Sequence, residues 1–528
     1  MPQASDIKIK KGLVISIEAI VGRDGYSISE RERLSYSRDA NFRSAIKAHY
    51  ASREDFPGII VWPRSTVELS QIIKLANRFG VPITTYGGGS GVCGGAMGPA
   101  GGIVVDVKRM QRLLRIDQER LFVEAECGIY GLELEKDLDR NGFTLGHFPS
   151  SILVATLGGY LAARSAGQHS SKYGKIEDMI IDLEFVDGKG EVHRTSEVSR
   201  DRGLDLTQAI VGSEGTLGII TRARLKIFPK PATRRYRAIR FQKIEYGVET
   251  LRRIMQSGIQ PDVLRLYDEL DSMLMFSKSK AQTKSSSLID PFLPSTVKEA
   301  LLGLKSHLMT FAFRSHRLLN TASRFSPSGC LLIVMLEGHS TIVEKQLDII
   351  DVIAKAMGGD DVGEAPARHW HEHRYSVAFK ASKLFQEGAF TDTMEVATTW
   401  DNLMTLYHGV HDAMTPLALV LAHISHVYND GAAIYFTFVS PLNGLTRSLK
   451  SYDKIWQTAL SSTQKYGGVI SHHHGIGRLK SRYIRKEWGE AITIYEKLKI
   501  FFDPNGVLNP DVLIPKEELS LKSEKEAV

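Results

Sequence analysis

The sequence predicts an α+β protein built from two or three packed units. The chain has 528 residues, of which 43% are hydrophobic and 24% charged, a composition typical of globular proteins and a length too great for one simple core. Up to about residue 230, short β-branched runs are followed by stretches with helical spacing, which predicts an α+β or α/β arrangement in this region. From about residue 231 to 465, strand-like runs alternate with longer helical stretches, which predicts a second α+β domain.

The first strand and helix pairs follow a polar, partly helical lead-in over residues 1–50. The run PGIIVWP, beginning at Pro57, predicts a strand bounded by prolines, and STVELSQIIKLANRFG, beginning at Ser65, predicts a capped helix. The stretch LFVEAECGIYGLELEKDLDRNG, beginning at Leu121, repeats the same order. We therefore expect one mixed domain over residues 51–230.

The second domain is expected over residues 231–465, with strands at CLLIVMLEGH and AAIYFTFV. A basic, serine-rich segment interrupts it, and the alternation of apolar and basic residues up to residue 320 predicts an amphipathic helix, so we treat 277–320 as a basic insert. A C-terminal segment over 466–512 is expected to complete the active site, and residues 513–528 form a charged tail.

Charge and cysteine content narrow the classes of function. The formal charge of +7 comes from 67 basic and 60 acidic residues spread along the chain, which favours anionic partners only mildly and gives no reason to expect nucleic acid. The three cysteines, Cys93, Cys127 and Cys330, have no metal-type spacing and predict neither a disulfide framework nor a metal site. No apolar run has transmembrane length, and the stretch near Glu18 is too short for a signal peptide, so a cytoplasmic location is expected.

Three glycine-containing clusters carry the chemistry of the first domain. The turn Gly87–Gly91 follows a predicted strand, and glycines let backbone amides converge on a pyrophosphate, although a purely structural turn explains it equally well. Its spacing fits neither GxGxxG nor GxxxxGKS. Two further clusters, PSSILVATLGGYLAARSAG from Pro149 and GSEGTLGII from Gly212, set small and hydroxyl residues beside glycines. This composition lets a backbone approach a large flat cofactor.

The segment ISHHHGIGRLK near the C-terminus contains the consecutive histidines His472, His473 and His474. They could form a metal cluster, a set of proton-transfer groups or a polar loop. Adjacent residues of a strand point to opposite faces, which disfavours convergence on one metal. Acid and base chemistry is favoured because imidazole titrates near neutrality.

The order and spacing of the three clusters resemble the FAD-binding domain of the vanillyl-alcohol oxidase and p-cresol methylhydroxylase (PCMH-type) superfamily over residues 55–230. The resemblance implies a two-part PCMH-type FAD-binding domain followed by an α+β cap and substrate domain. No histidine stands in the first loop, so we expect noncovalent FAD. The cofactor-binding residues that it implies are Thr85, Tyr86, Gly87, Gly88, Gly89, Ser90 and Gly91 at the pyrophosphate, Ser150, Ser151, Thr156, Ala163, Arg164, Ser165 and Ala166 beside the isoalloxazine and ribityl chain, and Glu214, Gly215, Thr216, Leu217, Gly218, Ile219 and Ile220 at the adenine half.

The segments SHHHGIGRLK and SHVYNDGAAIYFTF are similar to those of one branch, the alkylglycerone-phosphate (alkyldihydroxyacetonephosphate) synthases. The resemblance to this branch covers most of residues 30–512. This resemblance implies that Tyr435 is catalytic and that His474 abstracts a proton, with His472 and His473 beside it. It also implies that Arg265, in VLRLYDE, binds substrate.

One position departs from the synthase pattern. Where that family carries a substrate-site arginine, this chain has Ala381, flanked by Lys380 and Lys383. We take Lys380 as the candidate substrate-binding residue, because a lysine can replace the charge although not the bidentate geometry of a guanidinium.

Two reactions remain open. The first is a net non-redox exchange, in which the acyl group of an acyl-dihydroxyacetone phosphate is replaced by a fatty alcohol and FAD serves as an electron sink. The second is the oxidation of a 2-hydroxy acid or similar alcohol. Metal-dependent enzymes of that kind carry HxGDGNxH and GEHG segments, of which this chain keeps His426 and has His473 in place of the glutamate, so only a metal-independent oxidoreductase is expected. A non-catalytic flavoprotein is a third class, which the retention of His474 and Tyr435 disfavours.

The expected partners follow from the charge pattern and from the resemblance. They are a small-molecule or lipid-like anionic substrate and, through the basic insert, the surface of a membrane, which would add a peripheral position at the inner membrane surface to the cytoplasmic location. A homodimer is a further option.

Overall fold

A computed structural model describes most of the chain. The residues described are 10–50, 56–195, 205–273, 320, 329–376 and 381–519, without the side chains of 381–383. Lys380 and all of the basic insert except Asn320 lie outside these residues.

The described residues contain both helices and strands. The helices are α1 (Lys11–Val21), α2 (Glu30–Ser35), α3 (Phe42–His49), α4 (Thr66–Phe79), α5 (Gly131–Arg140), α6 (Leu157–Ala162), α7 (Ser170–Tyr173), α8 (Ile176–Met179), α9 (Leu206–Ile210), α10 (Ile244–Gln256), α11 (Ser340–Ala356), α12 (Ala365–His373), α13 (Ala381–Gln386), α14 (Leu403–Met414), α15 (Leu445–Lys465), α16 (Ser481–Trp488) and α17 (Ile492–Phe502). The strands are β1 (Tyr26–Ser27), β2 (Ile59–Val61), β3 (Ile83–Tyr86), β4 (Ile103–Asp106), β5 (Leu113–Asp117), β6 (Phe122–Glu126), β7 (Phe143–Thr144), β8 (Ile180–Val186), β9 (Val192–Arg194), β10 (Ile219–Lys226), β11 (Phe228–Pro229), β12 (Thr233–Phe241), β13 (Val263–Tyr267), β14 (Cys330–Gly338), β15 (Asp360–Gly363), β16 (Ala389–Thr399), β17 (Leu419–Val427) and β18 (Gly431–Pro441).

The chain divides into two compact units. Unit 1 gathers the described residues up to Gly167, then Gly174–Lys230, then those from Ile470 onward. Unit 2 consists of the short segment Gln168–Tyr173 and of Pro231–Val469. The lead-in and the C-terminal segment, which the sequence analysis set apart, therefore share one unit with the three glycine clusters.

Unit 1 contains two principal sheets. In the first, of order β1-β2-β4-β3, the strands β2, β4 and β3 run parallel, and α4 makes the crossover from β2 to β3. The Ser65 side chain caps α4 by accepting a hydrogen bond from the Glu68 amide, and Gly80 ends the helix in the left-handed conformation. The second sheet is antiparallel, of order β5-β6-β10-β8-β9.

The C-terminal segment completes the first sheet of unit 1. The Ile83 amide donates to the Val507 carbonyl at 2.7 Å, and the Asn509 amide donates to the Ile83 carbonyl at 2.7 Å. The Asn509 side chain then donates to the carbonyls of Gly95 and Glu214. The end of the chain thus holds the base of the glycine-rich loops in place.

Unit 2 is built on a seven-stranded antiparallel sheet of order β15-β12-β14-β13-β17-β18-β16. Phe436 and Phe438 of β18 pack against Tyr407 of α14 and Trp456 of α15 on one face. Because side chains alternate along a strand, Tyr435 of β18 lies on the opposite face. Strands β17 and β18 are buried along most of their length, so polar side chains on that face are held in a packed environment.

The structure confirms the predicted α+β class. The runs quoted from the sequence form β2, α4, β6, α5, β14 and β18 in the predicted order. Within the described residues, no helix has the length and apolar character needed to cross a bilayer.

Candidate active site

The first glycine cluster forms the loop that leaves β3. A Cβ on Gly88 would lie 1.7 Å from the Val154 carbonyl oxygen, and Gly89 has a φ of +63°. Both positions therefore require glycine, the first for close approach and the second for its backbone conformation. The loop carries no carboxylate side chain and leaves its backbone partly exposed, which fits the binding of a pyrophosphate through amide groups.

The second cluster forms a turn and the start of α6. The Thr156 side chain caps this helix by accepting a hydrogen bond from the Gly159 amide at 3.3 Å, and Thr156 is fully buried. Ser150, Leu153 and Val154 are exposed beside the first loop. The contact between Gly88 and Val154 brings the first two predicted clusters together.

The third cluster is fastened to the second by backbone and side-chain hydrogen bonds. The Glu214 amide donates to the Ala162 carbonyl at 3.0 Å, and the Arg164 Nε donates to the Val211 carbonyl at 3.1 Å. Arg164 and Glu214 both have positive φ, of +51° and +49°, so both turns are tight. All three clusters predicted to hold the cofactor thus lie together in unit 1.

The stretch after Glu214 packs its side chains into unit 1. The side chains of Thr216, Leu217, Ile219 and Ile220 are buried within unit 1, and the Thr216 hydroxyl is hydrogen bonded to Tyr495. Any contact of this stretch with a cofactor therefore comes through its backbone. Its role at the adenine half stays a prediction.

The Glu214 carboxylate holds the loop that follows the three histidines. It accepts hydrogen bonds from the Ile476 amide at 2.6 Å and from the Gly477 amide at 2.9 Å. On its other side the loop meets Cys93, whose carbonyl accepts from the Arg478 amide at 3.0 Å, and a Cβ on Gly477 would lie 2.1 Å from that carbonyl oxygen. Two fixed points therefore set the backbone of the histidine segment.

Burial raises the pKa of Glu214 to about 7, because an ionised carboxylate loses its water there. The two amide hydrogen bonds and the charge of Lys480 act in the opposite direction and lower it. The carboxyl group that fixes the histidine loop thus titrates in the neutral range.

The three histidines lie in an irregular loop. The Nδ1 atoms of His472 and His473 are 3.0 Å apart, and the rings of His473 and His474 have centroids 4.6 Å apart. Lys175 donates from Nζ to the His472 carbonyl at 2.8 Å. The segment is therefore an ordered cluster of imidazoles, and it is held mainly by backbone contacts.

Two groups of ligand-type side chains occur elsewhere in the described part of the chain. The first joins His169, Asp262 and Glu337, and the second joins Asp187, Glu191 and His193. In the first group, Lys172 pairs with Asp262 and Arg234 pairs with Glu337, so the two carboxylates are balanced by protein cations. Neither group includes the histidine triplet.

Unit 2 supplies a polar layer on the face of its sheet that carries Tyr435. The Arg265 Nη2 is hydrogen bonded to His423 Nε2, and His423 Nδ1 lies 3.3 Å from an oxygen of Asp271. The His423 ring stacks on Tyr435 with centroids 4.8 Å apart, and the Tyr435 hydroxyl donates to Thr393 Oγ1 at 3.0 Å. Two predicted site residues, Arg265 and Tyr435, are thereby joined through a histidine.

Burial sets the protonation of this layer. It lowers the pKa of His423 to about 4, an effect that the Arg265 charge reinforces, and it raises the pKa of Tyr435 to about 12. At neutral pH the imidazole is therefore uncharged and the phenol keeps its proton.

His426, the residue retained from the metal-dependent motif, is hydrogen bonded within unit 2. Its Nδ1 lies 2.8 Å from the Ser170 hydroxyl, which also lies 3.2 Å from the Tyr428 hydroxyl. Ser170 belongs to the short segment Gln168–Tyr173, which the sequence analysis left in the first domain. His426 thus anchors that segment to the sheet of unit 2.

Sequence reasoning missed His423, Asp271 and Thr393. Their signal in the sequence is weak because the three residues lie on different strands or loops. They come together only through the pairing of β13 with β17 and of β17 with β18. The other substrate-binding candidate, Lys380, lies outside the described residues. Ala381, at the arginine position of the synthases, is the first residue of α13.

Two family models match the chain. A model described as an FAD binding domain matches residues 57–196, and one described as FAD linked oxidases, C-terminal domain, matches residues 230–513. The protein is therefore an FAD-dependent enzyme of the FAD-linked oxidase class, as the three loops and the histidine segment indicated.

Comparison with individual proteins narrows this class. The chain is 31% identical over 506 residues to the alkyldihydroxyacetonephosphate synthase of Dictyostelium discoideum, covering 92% of this chain and 78% of that protein. A solved alkyldihydroxyacetonephosphate synthase is 27% identical, with a TM-score of 0.74 over 96% of this chain and 87% of the other. The chain belongs to the alkyldihydroxyacetonephosphate synthase family.

The same fold also occurs in solved structures outside this family. A solved p-cresol methylhydroxylase with substrate bound is 16% identical, with a TM-score of 0.68 over 96% of this chain and 98% of the other. The PCMH-type fold that the glycine clusters predicted is confirmed.

Proposed function

We propose that the protein replaces the acyl group of an acyl-dihydroxyacetone phosphate with a fatty alcohol and so forms an ether lipid precursor. The observation that carries the proposal is the polar layer of unit 2, in which Arg265 and Tyr435 are joined through His423. Both named residues match the synthase pattern. A cation and a protonated phenol on one sheet face suit a substrate that carries a phosphate and a carbonyl.

The cofactor would be held by the three loops of unit 1. Backbone amides of the turn at Gly87–Gly91 suit the pyrophosphate, and the tight turns at Arg164 and Glu214 let the chain approach a flat ring system closely. When bound, FAD supplies an electron sink. No histidine lies in the first loop, which supports noncovalent binding.

His474 would act as the general base, with His472 and His473 beside it. The proton to be removed is the one on the substrate carbon next to the carbonyl, and an imidazole suits this task near neutral pH. The hydrogen bonds of this loop to Glu214 and Cys93 support the role, because a general base must be held in a fixed position.

Tyr435 would donate a hydrogen bond to substrate, since its raised pKa keeps the hydroxyl protonated. Arg265 would bind the anionic group. Lys380 would add a second positive charge where the synthase pattern has an arginine and this chain has Ala381.

An FAD-linked oxidoreductase acting on a 2-hydroxy acid or similar alcohol is the second candidate. Two observations favour it: the match to the C-terminal domain of FAD linked oxidases, and the alanine at the arginine position of the synthases. In this reaction His474 would take the hydroxyl proton of the substrate. Arg265 would then bind a carboxylate.

The two reactions are separated by mixing the FAD-loaded protein anaerobically with each substrate. Acyl-dihydroxyacetone phosphate and hexadecanol should yield free fatty acid and the ether product without lasting loss of flavin absorbance. D-lactate and glycolate should leave the spectrum unchanged. Bleaching by a hydroxy acid that an acceptor dye reverses, together with no ether product, would instead establish the oxidoreductase.

We also propose that the basic insert, residues 277–320, contacts an anionic membrane surface. The support is its alternation of basic and apolar residues. Flotation with phosphatidylserine vesicles at low salt should carry the protein upward, and charge reversal at Lys298 and Lys305 should reduce flotation. Reversal at Lys345 and Lys355 of α11 serves as the matched control. Equal flotation of all three proteins, or none at low salt, would refute the contact.

A further inference from the structure

His423 occupies an enclosed position on the sheet of unit 2. Its ring lies between Tyr435, at 4.8 Å between centroids, and Tyr267, at 5.5 Å, and only 6% of the residue is exposed. The strands β13, β17 and β18 place these three rings side by side. The imidazole therefore has little freedom to change its orientation.

The partners of His423 determine its tautomer. A guanidinium only donates hydrogen bonds, so the Nε2 atom that faces Arg265 must accept. The remaining proton is then on Nδ1, which donates to the Asp271 carboxylate at 3.3 Å. Burial and the Arg265 charge lower the pKa of His423 to about 4, which keeps this neutral form at physiological pH.

Arg265 differs from other arginines of the sheet, because its hydrogen-bond partner is an uncharged imidazole. Elsewhere on the sheet, Arg234 pairs with Glu337 and Arg237 with Asp351, so carboxylates neutralise those guanidinium groups. Within the described ranges Arg265 forms no ion pair, and its buried Nε has no hydrogen-bond partner there. The Asp271 carboxylate of this layer contacts Nδ1 of His423.

Two aromatic faces hold the guanidinium in place without neutralising it. Its carbon lies 5.2 Å from the centroid of Tyr267 and 5.8 Å from that of Trp370, distances at which the ring faces attract a cation. Arg265 is thus fixed by rings and by an uncharged acceptor, and it retains donors and a full charge for a ligand.

We propose that His423 is a positioning residue that aims the Arg265 guanidinium at an anionic group of the substrate, with Asp271 fixing the orientation of the imidazole. The identity of that group rests on the proposed function: a phosphate for the synthase reaction, a carboxylate for the oxidoreductase. The positioning itself is the same for both. A neutral acceptor directs the cation, whereas a carboxylate in its place would cancel the charge that the substrate needs.

The test uses three variants of the FAD-loaded enzyme. His423→Leu removes the acceptor and should raise KM about tenfold or more while changing kcat less, the pattern for loss of a binding interaction away from the reacting atoms. His423→Gln keeps an uncharged acceptor and should recover most of the loss. His423→Asp supplies a charged acceptor and should bind the anionic substrate as weakly as His423→Leu. Equal KM values for all three variants and the wild type would overturn the proposal.

A double-mutant cycle separates positioning from general packing. In an Arg265→Leu background, His423→Leu should have almost no further effect on KM, because the group that it positions is gone. Additive effects of the two substitutions would mean that His423 acts through packing alone and would refute the inference. His408→Leu, at an exposed position of α14, is the matched histidine control.

A binding measurement keeps this inference separable from the proposed reaction. Dihydroxyacetone phosphate, uncharged dihydroxyacetone and D-lactate are titrated into the wild-type holoenzyme and the His423→Gln and His423→Leu variants while flavin absorbance is followed. Wild type and His423→Gln should prefer an anion over the uncharged compound, and His423→Leu should lose that preference. Preference for D-lactate alone would contradict the synthase substrate yet support the positioning role. An unchanged anion preference in His423→Leu would refute that role.

Discussion

The two units build their functional groups in opposite ways. In unit 1 the candidate site is built from backbone contacts: glycine loops pack on one another, and the histidine segment is held by the Glu214 carboxylate and the Cys93 carbonyl through its amides. In unit 2 the candidate site is built from side chains: Arg265, His423 and Tyr435 come from three strands and meet on one face of a sheet.

This difference predicts how each region responds to substitution. An added Cβ at Gly88 or Gly477 would overlap backbone atoms of a neighbouring segment, so a small change there should remove a whole function. A changed side chain in the polar layer leaves the sheet intact and removes one hydrogen bond or one charge. An added Cβ at the closely packed glycines of unit 1 should therefore have an all-or-none effect, whereas changed side chains should have graded effects.

The largest effect is expected for Gly88→Ala. The new Cβ would lie 1.7 Å from the Val154 carbonyl oxygen, so the first two loops must separate and the cradle for FAD should be lost. The purified protein should be colourless. The measurement is the ratio of the absorbance of flavin, at about 450 nm, to that of protein, at about 280 nm. Gly12→Ala is the control, since it lies outside the three clusters, its Cβ would meet nothing closer than 3.6 Å and its φ is not positive. A yellow Gly88→Ala protein with normal FAD content would contradict the assigned cradle.

The next effect is that of His474→Ala. If His474 is the general base, turnover should fall by about 10²-fold or more, the usual scale for this role. FAD content and thermal stability should stay close to those of the wild type, because the loop is held by Glu214 and Cys93 through backbone groups. His411→Ala, on α14, is the control. Unchanged turnover on the true substrate would end the assignment.

How much the sequence predicts differs between the two regions for the same physical reason. Gly88, Gly89 and Gly477 occupy positions where a Cβ or a negative φ is excluded, so backbone geometry leaves a glycine pattern that can be read along the chain. The three glycine clusters were noticed from this pattern, and resemblance to the PCMH-type superfamily implied that they hold FAD. The FAD cofactor is confirmed by the family match. What the pattern concealed is that Glu214 uses its carboxylate on the histidine segment.

The polar layer leaves no such pattern. Arg265 and Tyr435 were found only through resemblance to the synthases, and His423 and Asp271 were missed. Their meeting depends on the pairing of β13 with β17 and of β17 with β18, and β17 also has a register shift between Ile424 and His426. A shift of one residue moves side chains to the other face, so the layer follows from register that spacing alone does not fix.

A graded effect in unit 2 is expected for Tyr435→Phe. The ring and its stacking on His423 remain, and only the hydroxyl and its hydrogen bond to Thr393 are lost. Turnover should fall about tenfold, a loss of about 1.4 kcal/mol that is typical of one hydrogen bond, with little change in thermal midpoint. Tyr246→Phe, at an exposed position of α10, is the control. A collapse of stability without a specific loss of turnover would show that Tyr435 serves packing alone.

The smallest effect, and the one that joins side chain to backbone in unit 1, concerns the pH dependence of Glu214. Burial raises the pKa of Glu214 from 4.5 to about 7 in the folded protein. Between these two values the folded state binds more protons than the unfolded state, so the contribution of Glu214 to the free energy of unfolding falls as pH rises. That contribution is fully present below about pH 4.5 and is lost by about pH 7.

Glu214→Gln has no proton to lose, although its single amide oxygen satisfies only one of the two amides of Ile476 and Gly477. The variant should therefore be less stable than the wild type at pH 5, and the difference should shrink steadily up to pH 8. Thermal midpoints of the two proteins measured side by side over this range decide the matter. Midpoint curves that run parallel across the whole range would mean that the carboxyl group stays ionised and that its two hydrogen bonds outweigh the loss of solvation.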